Sequence, residues 1–183
     1  MNLTPPPPAL SLVTGPARSG KSEWAEALAM QSGKAVIYVA TAQIDPNDPE
    51  WQIRIEQHRD RRPQTWQTIQ EPTALPTVIQ QAQPHTCLLV DSLGTWLANL
   101  LEQDTGTWEQ TQQALLHSLE QTQSQVILVA EETGWGVVPA YPIGRTFRDR
   151  LGTLTRHIGA IAAAVYLVTG GYVLNLKDLG TPL

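Results

Sequence analysis

The sequence predicts a single α/β domain of three layers, in which a mostly parallel central sheet has helices on both of its faces. Five runs are continuously apolar, which is typical of parallel strands that are buried on both sides. Segments with helical spacing separate these runs. A chain of 183 residues is long enough for one core and too short for two domains of ordinary size. The predicted strands are 9–15, 34–41, 86–91, 124–132 and 164–171.

Segments of helical composition and spacing fill the gaps between the strands. The first is rich in alanine, glutamate and leucine, which favour a helix. In the last, apolar residues recur at steps of four and three and therefore share one face: Phe147, Leu151, Leu154, Ile158 and Ile161. The predicted helices are 20–31, 48–61, 74–83, 92–103, 108–123 and 145–162.

The remaining segments complete the predicted domain. Residues 65–70 are a candidate extra strand, and 172–177 alternate after two glycines, as the partner strand of a C-terminal β-hairpin would. The proline run near the start favours extended polyproline II. We therefore expect a flexible leader at 1–9 and one domain at 10–183.

Charge and cysteine content exclude several classes of function. The chain has 12 basic and 17 acidic residues, and a net charge of −5 argues against a nucleic-acid partner. No segment has the apolar length of a membrane span, and the start has no signal-peptide pattern. The single cysteine, Cys87, lies in an apolar run and is predicted to be a small core residue. These features predict a cytoplasmic protein.

The segment "GPARSGKS" follows the first predicted strand and opens the first predicted helix. This is the pattern and the context of a phosphate loop in nucleoside triphosphatases. The glycines permit the turn around a phosphate, Lys21 would reach the β- and γ-phosphates, and the Ser22 hydroxyl would ligate Mg²⁺. The predicted nucleotide contacts are Gly15, Pro16, Ala17, Arg18, Ser19, Gly20, Lys21 and Ser22.

Three carboxylates end the strands that follow. Asp91 is placed where such sites hold Mg²⁺ through a water, although the N-cap of the next helix is an alternative and compatible role. Glu131 and Glu132 end a later strand, at the edge where open α/β sheets bind ligands. The residues alone leave open whether this second pair lines a crevice or is simply solvated.

The segment "RIEQHRDRRP" sets His58 among four arginines. A neutral imidazole that attacks phosphorus forms a phosphoramidate, and nearby guanidinium groups would neutralise the phosphates. On a helix, Arg54, Arg61 and Arg62 would share the face of His58, whereas Arg59 points elsewhere. The alternative is a solvated amphipathic helix, and spacing alone does not exclude it.

The ordered motifs resemble those of the bifunctional adenosylcobinamide kinase/adenosylcobinamide-phosphate guanylyltransferases of cobalamin biosynthesis. The histidine-arginine segment and the "ETGWGVVP" segment are more specific than the phosphate loop. The resemblance covers about residues 11–171 and rests on "LVTGPARSGKSEWAEALA", "YVATAQ", "RIEQHRDRRPQTWQTIQEP", "LLVDSLGTWLANLL", "ILVAEETGWGVVP", "GRTFRD" and "VYLVTGG".

The resemblance implies two reactions on one recombinase-like P-loop NTPase scaffold. ATP or GTP would phosphorylate adenosylcobinamide, and GMP would then pass from GTP through guanylylated His58 to adenosylcobinamide phosphate, giving adenosylcobinamide-GDP. It further implies Mg²⁺, a homotrimer, and catalytic roles for His58 and Lys21. The further nucleotide contacts that it implies are Thr41, Ala42, Gln43, Arg59, Asp60, Arg61, Arg62, Glu71 and Asp91.

Other interpretations remain open at this point. The chain is alternatively a small-molecule kinase without a covalent intermediate, or a recombinase-like ATPase that acts on a macromolecule. Arg145 and Arg148 are either phosphate contacts or part of a solvated helix face. Trp135 either packs against a corrin or closes its loop over the sheet.

Overall fold

The computed structural model describes residues 9–43 and 61–183. In those residues a seven-stranded sheet is combined with six helices. The strands are β1 (Leu10–Gly15), β2 (Ala35–Ala40), β3 (Gln67–Gln70), β4 (Thr86–Asp91), β5 (Gln125–Glu131), β6 (Ala164–Thr169) and β7 (Tyr172–Asn175). The helices are α1 (Lys21–Gln31), α2 (Leu75–Gln81), α3 (Leu93–Asn99), α4 (Thr105–Gln121), α5 (Pro142–Ile161) and α6 (Leu176–Leu179).

The sheet has the strand order β3-β2-β4-β5-β1-β6-β7. The first six strands in the chain are parallel, and β7 returns antiparallel to β6 as the predicted hairpin partner. Gly15 pairs with Glu131, and Asp91 pairs with Ala40. The register therefore brings the ends of β1, β2, β4 and β5 to one edge of the sheet, where α/β folds bind ligands.

Two separate apolar cores lie on the two faces of the sheet. One face packs against α1 through Ala25, Leu28 and Ala29, and the buried Cys87 belongs to this core. The other face packs against α2, α3, α4 and α5. The face predicted for the last long helix is confirmed, because Leu151, Leu154, Ile158 and their partly buried neighbours belong to this second core. The predicted three-layer α/β class is therefore confirmed.

Some helices and strands begin or end a few residues away from their predicted boundaries, because local residues at the helix start set the observed boundary. Helix α4 begins three residues before the predicted 108 because the Asp104 carboxylate accepts a hydrogen bond from the Thr107 N–H at 2.9 Å. Helix α5 begins at Pro142, since proline suits the first helical position. The final strand ends at Asn175, whose side chain accepts from the Lys177 N–H and starts α6. The prediction of a strand up to 177 is wrong for that reason.

Two predicted segments fall on parts of the chain that the structure leaves out. The predicted helix 48–61 lies almost wholly outside the described residues, and so does most of the predicted leader 1–9. Among the helices that the structure describes, none combines the length and the apolar character that crossing a bilayer requires.

Candidate active site

The loop between β1 and α1 turns at two residues with left-handed backbone angles. The φ angle is 58° at Arg18 and 91° at Gly20. Such turns direct backbone N–H groups toward one point and bind anions, and the N-terminus of α1 adds the positive end of its dipole there. A Cβ added at Gly15 would overlap the carbonyl oxygen of Val168. The loop therefore has the backbone form of a phosphate cradle.

Lys21 opens α1, and its side chain lies across the loop. Its Nζ donates a hydrogen bond to the Pro16 carbonyl oxygen at 3.2 Å, and the residue is only 9% exposed. The buried Ser19 Oγ has no hydrogen-bond partner in the part of the chain that the structure describes. Buried polar groups normally have partners, so a buried ammonium and an unsatisfied hydroxyl in one loop favour an anionic ligand. The partly buried Ser22 follows directly.

Asp91 ends β4, two strands away from the phosphate loop in the sheet. The Tyr38 hydroxyl donates a hydrogen bond to its Oδ2 at 3.2 Å, and the Arg62 guanidinium lies 3.6 Å from the centre of the Tyr38 ring. The alternative role as N-cap of the next helix is wrong. Ser92 caps α3, and Thr95 closes a capping box with it. Asp91 is thus oriented at the sheet edge but takes no part in the cap.

A network of side chains joins the ends of β2, β4 and β5 beside Asp91. The Thr41 hydroxyl donates to the Ser92 carbonyl oxygen at 2.7 Å and accepts from the Ser92 N–H at 3.0 Å. The Ser92 hydroxyl donates to Glu131 Oε1, and the Gly94 N–H donates to Glu131 Oε2 at 3.0 Å. Networks whose members are all satisfied hold a site in one geometry. This network fixes the start of α3 against β5.

Glu131 and Glu132 are both hydrogen-bonded within the fold, so the interpretation as solvated acids is wrong. Burial raises the pKa of Glu131, while the hydrogen bond from Ser92 and the positive charge of Lys21 act in the opposite direction. Glu132 Oε1 accepts from the Thr14 hydroxyl at 2.6 Å. Both carboxylates therefore belong to the edge that carries the phosphate loop.

The Glu131 carboxylate also explains the glycine at 94. A Cβ there would overlap Glu131 Oε2, and the hydrogen bonds from Ser92 and Gly94 keep that carboxylate from moving aside without loss. Gly94→Ala is therefore expected to lower the free energy of unfolding by about 1–3 kcal/mol in urea denaturation. In the Glu131→Ala background the same substitution should cost markedly less, since the obstructing group is gone. Gly152→Ala is the control, because the added Cβ meets no atom within 4 Å outside the adjacent backbone of its own helix. Equal costs in the two backgrounds would contradict this account.

The described end of the arginine segment contacts α1 and β2. Arg61 donates to Glu23 Oε1 at 2.7 Å and to Glu26 Oε1 at 3.2 Å. Burial raises the pKa of Glu26, and the charge of Arg61 opposes that shift. The other predicted site residues of this segment lie outside the described residues: Arg54, His58, Arg59 and Asp60. The predicted shared helix face of His58 therefore stays a prediction.

Some predicted nucleotide contacts have structural partners in this fold. Glu71 Oε1 accepts from the backbone N–H groups of Thr73 and Ala74 at 3.0 and 2.7 Å, which lowers the pKa of Glu71 and fixes the start of α2. Ala42 and Gln43 follow Thr41 at the end of β2, and the Ala42 carbonyl oxygen accepts from the Gln70 amide at 3.1 Å. Nucleotide contacts for these residues stay predictions.

The two arginines after the glutamate pair also have partners within the fold. Arg145 Nη1 donates to the carbonyl oxygens of Pro139 and Ala140 at 3.0 and 2.7 Å. Arg148 pairs with Asp149 at 2.8 Å. Their predicted phosphate contact stays a prediction.

Sequence reasoning missed several residues of the Asp91 surroundings. Tyr38 lies inside an apolar strand and carries no polar pattern that marks it as a partner of Asp91. The serine before the apolar run of α3 is an N-cap signal, which identifies Ser92 in retrospect. Gly94 contacts Glu131, and Thr95 forms the capping box with Ser92. Hydrophobic periodicity does not reveal such contacts.

Known proteins match this sequence over nearly the whole chain. The family model described as cobinamide kinase / cobinamide phosphate guanyltransferase matches residues 11–176. The bifunctional adenosylcobalamin biosynthesis protein CobP of Pseudomonas aeruginosa is 43% identical over 174 residues, covering 94% of this chain and 98% of that protein. The bifunctional adenosylcobalamin biosynthesis protein CobU of Escherichia coli is 35% identical over 181 residues, which cover 91% of this chain and 98% of that protein.

A structural comparison supports the fold alone. A solved structure from Pyrococcus horikoshii superposes with a TM-score of 0.55 at 8% identity, covering 92% of this chain and 86% of that chain. The family match rests instead on the sequence, and it includes the phosphate loop, Asp91 and the glutamate pair. The chain belongs to the cobinamide kinase / cobinamide phosphate guanyltransferase family.

Proposed function

We propose that this enzyme phosphorylates adenosylcobinamide with ATP or GTP, and that it then transfers GMP from GTP through guanylylated His58 to adenosylcobinamide phosphate. The product is adenosylcobinamide-GDP. The observation that carries the proposal is the phosphate cradle with its buried Lys21, at the sheet edge that also holds Asp91, in a chain matched to this family over residues 11–176. The family and the names of its relatives supply the substrate class.

In the kinase reaction, a hydroxyl oxygen of adenosylcobinamide bonds to the γ-phosphorus, the bond from that phosphorus to the bridging oxygen breaks, and the hydroxyl proton leaves. The loop N–H groups and Lys21 stabilise the negative charge that moves onto the bridging oxygen. Ser22 and Asp91 offer hard oxygen ligands of the kind that Mg²⁺ prefers, and they would hold that ion. When bound, the ion neutralises charge on the β- and γ-phosphates.

In the guanylyl transfer, an imidazole nitrogen of His58 bonds to the α-phosphorus of GTP and pyrophosphate leaves. A phosphate oxygen of adenosylcobinamide phosphate then bonds to the same phosphorus, and the nitrogen-phosphorus bond breaks, which regenerates the histidine. Arginines of the "RIEQHRDRRP" segment would neutralise the phosphates. Arg61, which lies beside the helix that starts at the phosphate loop, supports this role for the segment. We further propose that the enzyme acts as a homotrimer.

The test is incubation with GTP labelled at the α-phosphate, followed by denaturation and recovery of the protein. Retained label, transferred to product on addition of adenosylcobinamide phosphate, is the expected result. The γ-labelled nucleotide is the control and should leave no such label. Phosphorylation of adenosylcobinamide without any retained α-label would reduce the enzyme to a kinase without a covalent intermediate. Nucleotide hydrolysis stimulated by DNA or a protein, without corrinoid turnover, would contradict both reactions.

A further inference from the structure

An exposed apolar surface adjoins the phosphate loop, and neither reaction as described above uses it. It lies on the segment 133–144, which contains no charged residue. Five large apolar side chains of this segment face solvent, with exposed fractions between 58% and 94%. We name this group the apolar rim; its members are Trp135 (64%), Val137 (94%), Val138 (58%), Tyr141 (77%) and Ile143 (59%). Large apolar side chains exposed together within one short uncharged segment are unusual for a soluble fold and suggest a binding surface.

The apolar rim is attached directly to the nucleotide end of the sheet. It begins after Glu132, whose N–H donates to the carbonyl oxygen of Gly15 at 3.0 Å. The carboxylate of the same residue accepts from the Thr14 hydroxyl at 2.6 Å. Two hydrogen bonds therefore join the start of the segment to the residues that lead into the phosphate loop. The segment that carries the apolar rim therefore starts beside the phosphate loop.

The far end of the segment is held as well. Arg145 reaches back from α5 and donates to the carbonyl oxygens of Pro139 and Ala140. Its backbone N–H donates to the carbonyl oxygen of Tyr141 at 3.3 Å. Pro139 and Pro142 fix two further backbone angles. Residues 139–142 of the segment are thus held in place before a ligand arrives, which reduces the entropy lost on binding there.

These observations fit one occupant among the substrates. A corrin ring is a broad, nearly flat macrocycle with apolar faces and a rim of neutral amides, and an uncharged surface with an indole and a phenol ring complements it. We propose that the apolar rim binds the corrin ring of adenosylcobinamide and thereby places its hydroxyl at the phosphate loop. This inference rests on the proposed function. The nucleotide, as a polyanion, binds at the loop and not at the rim.

The test uses Trp135→Ala and Val137→Ser, measured for binding of adenosylcobinamide by equilibrium dialysis and for KM in the kinase reaction. Each variant is expected to weaken corrinoid binding and to raise the corrinoid KM by about fivefold or more, the range of a buried contact residue at an interface. The KM for ATP and the retained α-label from GTP should stay within twofold of the wild type. Unchanged corrinoid binding in both variants would overturn the inference.

Met30→Ser is the matched control. Met30 is an apolar side chain that is 57% exposed near the end of α1, roughly 13 Å along the helix from Lys21. It should change none of the four quantities. Val137 is almost fully exposed, so its replacement by serine leaves the packing of the fold intact even if Trp135→Ala does not.

A second copy of the chain is the competing occupant of the rim. The mass of the oligomer, measured in solution for each variant, distinguishes a subunit interface from a corrin surface. The proposed corrin surface requires that both variants keep the wild-type mass. A lower mass together with weaker corrinoid binding would assign the rim to a subunit interface and overturn the inference. The proposed function fails separately: rim-dependent binding of adenosylcobinamide by an enzyme that does not phosphorylate it would keep the inference and remove the kinase assignment.

Discussion

Lys21→Ala is expected to slow both the phosphorylation of adenosylcobinamide and the labelling of the protein from α-labelled GTP by about 10²–10³. The buried ammonium of Lys21 lies 3.2 Å from the Pro16 carbonyl oxygen, inside the loop where both nucleotides would bind. Removing one preorganised group that stabilises transition-state charge typically costs about 10²–10³ in rate. Because a single phosphate loop serves both reactions, both should slow together.

The measurement is initial rates of kinase turnover and of protein labelling at saturating nucleotide. Lys34→Ala is the matched control, because Lys34 also donates from Nζ to a carbonyl oxygen, that of Pro84 at 2.9 Å, but lies before β2 at the opposite edge of the sheet. Its rates should equal those of the wild type. Alanine favours helix at position 21, so the circular dichroism spectrum should be unchanged. Labelling at the wild-type rate in Lys21→Ala would reveal a second nucleotide site.

His58→Ala is expected to eliminate retained α-label and the formation of adenosylcobinamide-GDP, while phosphorylation of adenosylcobinamide continues. The physical reason is that only the guanylyl transfer needs a nitrogen nucleophile, whereas the kinase reaction uses the hydroxyl of the substrate itself. The phosphate loop, Lys21 and Asp91 remain intact in this variant. Product analysis with separately labelled α- and γ-phosphates distinguishes the two reactions in one experiment.

The control for this variant is His85→Ala, since His85 is exposed and precedes β4 at the opposite edge of the sheet. It should retain label and form the final product. Label that persists in His58→Ala would mean that another group carries GMP. Loss of both reactions in His58→Ala would mean that the histidine segment also supports the kinase geometry.

The sheet could be predicted from the sequence because its strands are marked by composition alone. The runs at 86–91 and 124–132 are apolar without interruption, and the structure places β4 and β5 within one residue of them. A strand that is apolar at every position has apolar side chains on both faces of the sheet. Both faces must then be covered, and in α/β folds helices cover them. Periodicity likewise predicted the buried face of α5, because Leu151, Leu154 and Ile158 recur at helical spacing.

The details around the candidate site could not be predicted because they depend on partners far apart in the sequence. Thr41 contacts Ser92, and Ser92 contacts Glu131, across separations of 51 and 39 residues. Nothing local at any of these positions identifies the others. Local capping explains the smaller errors, as at Asp104 and Asn175, where one polar side chain shifted a boundary by a few residues.

The position of β1 in the sheet has a consequence for how the enzyme folds. This strand ends in the phosphate loop, yet its hydrogen-bonded neighbours are β5 and β6, which follow it by more than a hundred residues. During synthesis the phosphate-loop sequence emerges before β5 and β6, so it is not held in place until those strands have formed. Such long-range pairing raises contact order and slows folding. Nucleotide binding should therefore be one of the last properties to appear during refolding, and it reports completion of the whole sheet.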